Sequence, residues 1–162
     1  MSATNRGSKR SKNDFYATPL AAFAPLIPYL RIMPGPIWEP ACGDARLIRT
    51  MLAMCIPAAG DDLINGYDFL NQSRTHPTIL TNPPFSLAHE FCDHAIRHAP
   101  NVFMLLRLNF LGSSKRRDWW LKHPVSAIFI ITPRPSFTGK GSDACEYGWF
   151  YWGNIWKGIY HL

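Results

Sequence analysis

The sequence predicts one α/β domain: a mostly parallel β-sheet with helices on both faces and an antiparallel last strand. First, short apolar runs typical of buried strands alternate with segments of helical spacing. Second, hydrophobic residues make up 47% and charged residues 17% of 162 residues, a globular composition with enough apolar side chains for one core. Third, polar residues directly follow several apolar runs, at the positions where open α/β sheets bind ligands.

The first half of the chain predicts two helices around a short strand. Residues 14–30 predict a turn and a proline-interrupted helix, with Pro19 in the first helical turn. A short strand ends near Trp38, and residues 46–55 have the spacing of a helix with one buried face. Residues 58–71 fit either two short strands or turns.

The second half alternates strands and helices more regularly. In chain order it predicts strand 78–81, helix 86–98, strand 102–106, a basic helix-like segment near 113–122, strand 125–132 and an aromatic strand 146–152. We expect the last segment to be an edge strand with its cover; the alternative is an aromatic surface for nucleic-acid bases. Residues 14–162 thus form one predicted domain, preceded by a disordered arm at residues 1–13.

The composition excludes membrane-spanning and disulfide-rich classes. The longest apolar stretch, residues 15–30, is interrupted by prolines and too short to span a bilayer, and the first residues have no signal-peptide pattern. The four cysteines lie far apart without a CxxC pair, which predicts reduced thiols and no zinc knuckle. We therefore expect a cytoplasmic protein without a membrane partner.

The net charge of +6 is concentrated at the start of the chain. Arg6, Lys9, Arg10 and Lys12 precede the first acidic residue, and the rest of the chain is nearly balanced. A polyanion partner would explain this arm, because contacts to phosphates supply sequence-independent affinity. A solvated tail that aids solubility is the alternative.

Four predicted strands are followed by polar residues suited to binding or catalysis. Glu39 follows the first of these strands, and Asn82, Arg107 and Arg134 follow three later ones. Because the carboxyl ends of parallel strands meet at one edge of the sheet, these side chains are expected to gather there.

The segment EPACGDARL predicts a tight turn from strand to helix. Gly43 lets a ligand approach the backbone at the helix start, and Glu39 is suited to meet a positive charge or a polar cofactor group. Ala45 stands where a second glycine would complete GxGxxG, and no GK[ST] follows, so neither a dinucleotide nor a nucleoside triphosphate is indicated. The alternative is an ordinary turn with a surface glutamate.

The segment NPPF, residues 82–85, predicts a stiff elbow that is poor in hydrogen-bond donors. Two prolines fix φ and remove two backbone donors, while the Asn82 side chain and the Pro83 carbonyl can accept hydrogen bonds. A planar amine on an aromatic ring fits this arrangement, with its ring stacked on Phe85. The alternative is a proline-stiffened loop with a core phenylalanine.

Together these segments resemble a known family. NPPF preceded by EPACGD resembles the S-adenosylmethionine-dependent amino-methyltransferases, above all phage and prophage DNA adenine-N6 methyltransferases. Four further segments extend the resemblance over residues 14 to 152: DFYATP (14–19), YDFL (67–70), LLRLNFL (105–111) and PRPSF (133–137). The resemblance implies a Rossmann-like class I methyltransferase fold, S-adenosylmethionine as cofactor, and a bacterial or phage-infected host cytoplasm.

The resemblance also implies residue roles. For the cofactor it implies Phe15, Tyr16, Thr18, Pro19, Glu39, Ala41, Cys42 and Gly43 at the methionine end, Asp62 at the ribose, and Asp68 and Phe69 at the adenine, with Asn82 close by. Asp61 is an alternative to Asp62 because this region is short. For the target base, the resemblance implies binding by Asn82, Pro83, Pro84 and Phe85.

DNA is the predicted partner, double-stranded DNA first and single-stranded DNA as the alternative. The candidate contacts are Lys9, Arg10, Lys12, Arg107, Asn109, Lys115, Arg116, Arg117, Arg134 and Phe137. In KRRDWW, residues 115–120, the alternative is a solvated basic face with tryptophans packed beneath it.

Glu90, His94 and His98 share one helical face, but without further ligands they predict a polar outer face and no metal site.

The sequence therefore predicts methyl transfer to the N6 amino group of adenine in DNA, by base flipping. We expect low sequence specificity, because residues 14–162 leave no room for a separate target-recognition domain. The alternative is a short recognition site that is read by loops near residues 112–123 and 133–145. The resemblance to phage proteins implies protection against restriction as a role. The alternatives are methylation of adenine in RNA or of a protein glutamine, and a cofactor- or nucleic-acid-binding module without turnover.

Overall fold

The computed structural model describes residues 17–137 and 143–162. The predicted arm, residues 1–13, lies outside the described residues, and so do its proposed DNA contacts Lys9, Arg10 and Lys12. Phe15 and Tyr16, assigned above to the cofactor, also lie outside them.

A seven-stranded sheet forms the centre of the described structure. Its strands are β1 (Ile37–Glu39), β2 (Ala58–Gly60), β3 (Thr78–Thr81), β4 (Val102–Arg107), β5 (Ala127–Ile130), β6 (Tyr147–Trp152) and β7 (Gly158–His161). Their spatial order is β2-β1-β3-β4-β6-β5-β7. All neighbouring pairs are parallel except the two that involve β6, which runs antiparallel to β4 and β5. The predicted α/β class with a mostly parallel sheet is confirmed.

The helices pack on both faces of this sheet. They are α1 (Leu20–Phe23), α2 (Ile27–Leu30), α3 (Arg46–Ala53), α4 (Ala88–His98) and α5 (Arg117–Lys122), with short 3-10 turns at Ala24–Leu26, Leu63–Asn65, Phe69–Asn71, Phe85–Leu87, Leu108–Gly112 and Ser114–Arg116. Pro25 and Pro28 lie at the second positions of the 3-10 turn and of α2, which accounts for the predicted interruption. No helix within the described ranges is long and apolar enough to cross a membrane.

Side chains of β4 alternate between two cores on opposite faces of the sheet. Phe103 and Leu105 face the core covered by α1, α2 and α3, whereas Met104 and Leu106 face the core covered by α4. This burial on both faces explains the nearly continuous apolar run of β4.

Two features of the C-terminal region differ from the sequence prediction. The aromatic strand β6 is not at the edge, because it inserts between β4 and β5 and all six of its residues are buried. A further strand, β7, forms the edge beside β5 and was not predicted. It is short and mostly exposed, so its sequence has no strand-like alternation of apolar and polar residues. Gly153 and Asn154, which are typical of turns, lie shortly before it.

The segment 58–71 contains one strand and two 3-10 turns, where the sequence left two strands or turns open. Within it, β2 approaches β1 so closely that a side chain has no space at Gly60. A Cβ there would overlap the backbone carbonyl of Glu39 and come within 2.9 Å of Ile48 Cδ1. The position therefore admits only glycine without movement of β1.

Replacing Gly60 by alanine is expected to lower the free energy of unfolding by about 3 kcal/mol, as overpacking does where backbone must shift. Chemical denaturation measures this loss. Gly112→Ala is the matched control, since no atom lies within 4 Å of a Cβ there, and its effect should stay within about 0.5 kcal/mol. Equal effects of the two substitutions would contradict the close approach of β2 to β1.

Candidate active site

A cleft of about 530 Å³ opens at the carboxyl ends of β1 and β3. Its wall contains most of the residues that the sequence assigned to cofactor or target: Thr18, Glu39, Ala41, Cys42, Asp62, Asp68, Phe69, Asn82, Pro83, Pro84 and Phe85. Pro19 caps α1 and Gly43 lies in the β1–α3 turn, both directly beside wall residues. The gathering follows from the parallel order of β1 and β3, whose carboxyl ends share one edge.

The turn between β1 and α3 has a left-handed backbone at two positions. Gly43 has φ of 51° and Ala45 has φ of 57°. The Ala45 amide donates to the Cys42 carbonyl at 2.7 Å, which closes the turn. Alanine in this conformation costs about 1 kcal/mol relative to glycine, so the missing second glycine alters the energy of the turn and not its shape.

Asp62 fastens this turn to the segment after β2. Its Oδ2 accepts the Gly43 amide at 2.8 Å and its Oδ1 accepts the Ile64 amide at 3.0 Å. Asp61 contributes backbone bonds instead: its amide donates to the Glu39 carbonyl, and its carbonyl accepts the Cys42 amide. Of the two acids, Asp62 has its side chain in the cleft wall.

Asp68 and Phe69 form the next part of the wall. Asp68 caps a 3-10 turn, with Oδ1 accepting the Leu70 amide at 3.1 Å and Oδ2 accepting the Asn71 side chain at 2.6 Å. The Phe69 ring is 4% exposed and packs 5.1 Å from Phe91, centroid to centroid. This corner therefore combines a fixed carboxylate with an apolar surface.

Glu39 is a buried carboxyl at the end of β1. Its side chain is 2% exposed, and among residues 17–137 and 143–162 no group hydrogen-bonds to Oε2. Burial, together with the nearby carboxylates of Asp44 and Asp62, raises the pKa of Glu39 to about 8. The surface glutamate considered above is thus excluded, and the cleft contains a buried acceptor suited to a cationic or donor group.

The NPPF elbow connects the buried end of β3 to α4. Pro83 is buried, whereas Asn82, Pro84 and Phe85 are half-buried and line the cleft. The Pro84 carbonyl accepts the Leu87 amide at 2.9 Å and so starts the turn into α4. Phe85 is therefore a wall residue of the cleft and not a buried core phenylalanine.

Arg107 lies beside the elbow, at the end of β4. Its guanidinium carbon is 4.5 Å from the centroid of the Phe85 ring, and its Nε donates to the Tyr147 hydroxyl at 3.1 Å. The Tyr147 hydroxyl donates to Asp143 Oδ2 at 3.0 Å, and the Phe137 ring lies 4.8 Å from the Tyr147 ring. Burial raises the pKa of Tyr147 to about 12, so it remains a hydroxyl that links Arg107 to Asp143 at neutral pH.

The other predicted nucleic-acid contacts differ in exposure. Asn109, Lys115 and Arg117 are exposed, and Arg134 pairs loosely with Glu146 at 3.8 Å. The Arg116 guanidinium instead donates to the Phe110 carbonyl at 3.0 and 2.9 Å and lies 4.0 Å above the Phe110 ring. Arg116 is thereby held against the protein itself.

The tryptophans of KRRDWW pack beneath this basic surface. Trp119 Nε1 donates to Asp93 Oδ1 at 3.0 Å, and Trp120 stacks on Trp152 with centroids 6.0 Å apart. The packing expected for the solvated-face alternative is present, and it leaves Lys115 and Arg117 exposed above it.

His94 is the one member of the Glu90–His94–His98 face that contradicts the predicted polar outer face. Its side chain is buried, with its ring 4.7 Å from Phe69 and 4.1 Å from His98. Burial, and to a smaller extent the neighbouring His98, lowers the pKa of His94, so a neutral ring packs against Phe69. Within the part of the chain that the structure describes, no three His, Cys, Asp or Glu side chains are placed to hold a metal ion.

Sequence reasoning missed several wall residues, among them Asp44, Leu63, Ile64, Leu87 and Phe91. Leu63 and Ile64 are largely exposed at the cleft although they are apolar. An apolar pair in a loop directly after Asp62 was the available signal, since such residues favour a ligand-facing position over a solvated one.

No protein-family model matches the chain, and no curated protein matches it significantly. Solved structures are similar in fold. A proposed class I S-adenosylmethionine-dependent methyltransferase from Listeria monocytogenes has 14% identity and a TM-score of 0.54, over 88% of this chain and 63% of that one. A proposed RNA methyltransferase from Pyrococcus horikoshii has 13% identity and a TM-score of 0.59, over 93% and 92%.

A third similar structure is the M protein of the type I restriction enzyme EcoKI, with 16% identity and a TM-score of 0.54. The match covers 90% of this chain but only 45% of that one. At such identities the likeness establishes the fold, and the chain spans less than two thirds of the length of two of these three proteins.

Proposed function

From the Rossmann-like fold of class I methyltransferases, we propose that this chain transfers a methyl group from S-adenosylmethionine to the N6 amino group of adenine in DNA. The observation that carries the proposal is that the NPPF elbow and the buried Glu39 carboxyl line one cleft, at the ends of two neighbouring parallel strands. The first fits a planar amine and the second a cationic cofactor group.

The residues present fit the cofactor. The cleft has the volume of a small-molecule site, and Glu39 Oε2 is a buried acceptor placed to receive an ammonium group. Asp62 would accept the ribose hydroxyls, because each carboxylate oxygen accepts one backbone amide and has capacity for a second donor. Asp68 and Phe69 would hold the adenine, with Phe69 as its apolar surface.

Bound S-adenosylmethionine supplies a sulfonium methyl group that is already activated for transfer. The chain must therefore orient a weak nucleophile, the exocyclic amine of adenine. The Asn82 side-chain oxygen and the Pro83 carbonyl would each accept one N–H, which stabilises the positive charge that grows on nitrogen. Phe85 would stack on the ring of the flipped base. No general base is needed for the transfer itself.

DNA is favoured as the substrate by Arg107 beside the elbow and by exposed basic residues in the segment that follows β4. Lys115 and Arg117 extend from the segment after β4, and Arg107 lies against Phe85. Several positive groups on one stretch of chain, together with a cation beside the elbow, suit a polynucleotide better than a protein glutamine. A type I restriction M protein and a proposed RNA methyltransferase share the fold, so DNA and RNA are both included in the test.

The experiment incubates the purified protein with labelled S-adenosylmethionine and, separately, duplex DNA, single-stranded DNA, RNA and protein, and identifies the labelled product after hydrolysis. We expect N6-methyladenine from DNA. Label in RNA or protein alone would reassign the substrate, and cofactor binding without transfer would indicate a binding module. Mapping the methylated positions tests the low sequence specificity, and resistance of the product to adenine-sensitive restriction enzymes tests the protective role.

A further inference from the structure

Arg107 carries a positive charge that the described protein does not pair directly. It is half-buried at the last position of β4, and within residues 17–137 and 143–162 no carboxylate lies within 4.0 Å of its guanidinium. The acid Asp143 is reached only through the Tyr147 hydroxyl. In contrast, four other arginines each have a carboxylate within that distance: Arg46, Arg97, Arg117 and Arg134.

The guanidinium is also held in one orientation. Arg107 and Tyr147 are opposite each other in the antiparallel β4–β6 pair, and the Tyr147 side chain is 0% exposed, so the acceptor of Nε is fixed. Stacking on Phe85 at 4.5 Å restricts the plane of the group from a second side. These contacts engage Nε and the face of the group, and the described residues provide no hydrogen bond to either Nη atom. A pre-oriented pair of donors therefore lies beside the elbow.

We propose that Arg107 binds a backbone phosphate that adjoins the target adenine, an inference that rests on the proposed function. A planar guanidinium donates two parallel hydrogen bonds to a phosphate, which gives both energy and orientation. A phosphate is the one anion that every nucleotide in a polynucleotide places near its base, whereas a glutamine side chain brings none. Arg107 thereby fixes the backbone while Phe85, on which it stacks, receives the base.

The test measures binding without requiring methyl transfer. The probes are three fluorescent duplexes with a single adenine opposite an abasic site, which lowers the cost of flipping and directs the binding register. One is unmodified, and the others carry an uncharged methylphosphonate on the 5′ or the 3′ side of that adenine. Fluorescence anisotropy gives the dissociation constant for wild type, Arg107→Gln and the control Arg97→Gln, whose arginine pairs with Asp93 on the outer face of α4.

For the wild type we expect one of the two methylphosphonates to weaken binding about tenfold, the usual size of a charge-assisted contact. Arg107→Gln should bind the unmodified duplex about tenfold more weakly and lose nothing further on that methylphosphonate, since the two changes remove the same contact. Arg97→Gln should behave as the wild type. Arg107→Lys keeps the charge but not the planar pair of donors, and it provides a second variant if Arg107→Gln unfolds. Its affinities for the unmodified and the methylphosphonate duplexes should differ less than those of the wild type.

Three results would overturn the inference: no DNA binding by the wild type, equal wild-type binding to all three duplexes, or an undiminished methylphosphonate effect in Arg107→Gln. The last would leave Arg107 as a support for Phe85 alone. Failure of the proposed function gives a different result. In that case the wild type binds the methylphosphonate duplex more weakly than the unmodified one but transfers no methyl group, so the phosphate contact is present and the reaction is absent. Methyl transfer to adenine without discrimination rejects only the role of Arg107.

Discussion

Replacing Asn82 by alanine is expected to lower the rate of methyl transfer by about 10²- to 10³-fold, the usual cost of removing one preorganised hydrogen-bond partner of a charge that develops in the transition state. The affinity for S-adenosylmethionine should change only a few-fold, because the other proposed cofactor contacts remain: Glu39, Asp62, Asp68 and Phe69. Single-turnover kinetics measure the rate, and calorimetric titration measures the affinity. The expected result is therefore a loss of rate with binding retained.

Two further variants make the result specific. Asn82→Asp keeps an acceptor of nearly the same size, so it should recover part of the lost rate. Asn154→Ala removes an exposed asparagine far along the chain and should retain full activity. An Asn82→Ala protein that methylates DNA at the wild-type rate would show that the elbow does not hold the reacting amine, whatever the reaction of the wild type.

The stability of the ligand-free protein is expected to fall as pH rises from about 5 to about 8, because of Glu39. The pKa of Glu39 is raised from 4.5 to about 8 in the folded protein, so the folded state binds a proton over this window that the unfolded state has released. The stabilisation is complete below the unfolded pKa and is lost as pH rises through the folded pKa. The loss amounts to a few kcal/mol, roughly 3 to 5, measured by chemical denaturation at successive pH values.

Glu39→Gln is the control, since the amide has the same shape and does not ionise. Its stability should vary much less over the same pH range. Its affinity for S-adenosylmethionine should fall about tenfold or more, because a bound ammonium group favours the ionised form of Glu39 and an amide cannot supply that charge. Parallel pH profiles for the wild type and Glu39→Gln would contradict the buried, protonated state of Glu39. An unchanged cofactor affinity would instead remove Glu39 from the binding site.

The sequence was informative wherever chain order alone determines geometry. β1 and β3 are parallel neighbours, so Glu39 at the end of β1 and Asn82 directly after β3 had to meet at one edge of the sheet. The stiffness of the NPPF elbow could be predicted for a similar reason, because proline restricts its own backbone irrespective of the rest of the fold. Local rules and strand polarity were sufficient in both cases.

What could not be predicted depends on contacts between distant segments. The turn that follows Glu39 is bonded through Gly43 to Asp62, 19 residues further along the chain, and nothing in EPACGD encodes this contact. The inward position of His94 depends on where Phe69 packs, and the contact of Arg107 with Tyr147 depends on the insertion of β6. Helical spacing and charge patterns describe one segment at a time and miss such pairs.

The central position of β6 also determines when the sheet can be completed during synthesis. β4 pairs with β6 across separations of 40 to 50 residues, so the apolar edge of β4 has no partner until Trp152 has left the ribosome. By then β1 to β4 have all emerged and can already have paired. An unpaired apolar strand edge is a template for aggregation, and pairings between distant segments form slowly. The nascent chain therefore passes through a vulnerable stage, in which we expect its yield to depend on chaperones that cover β4.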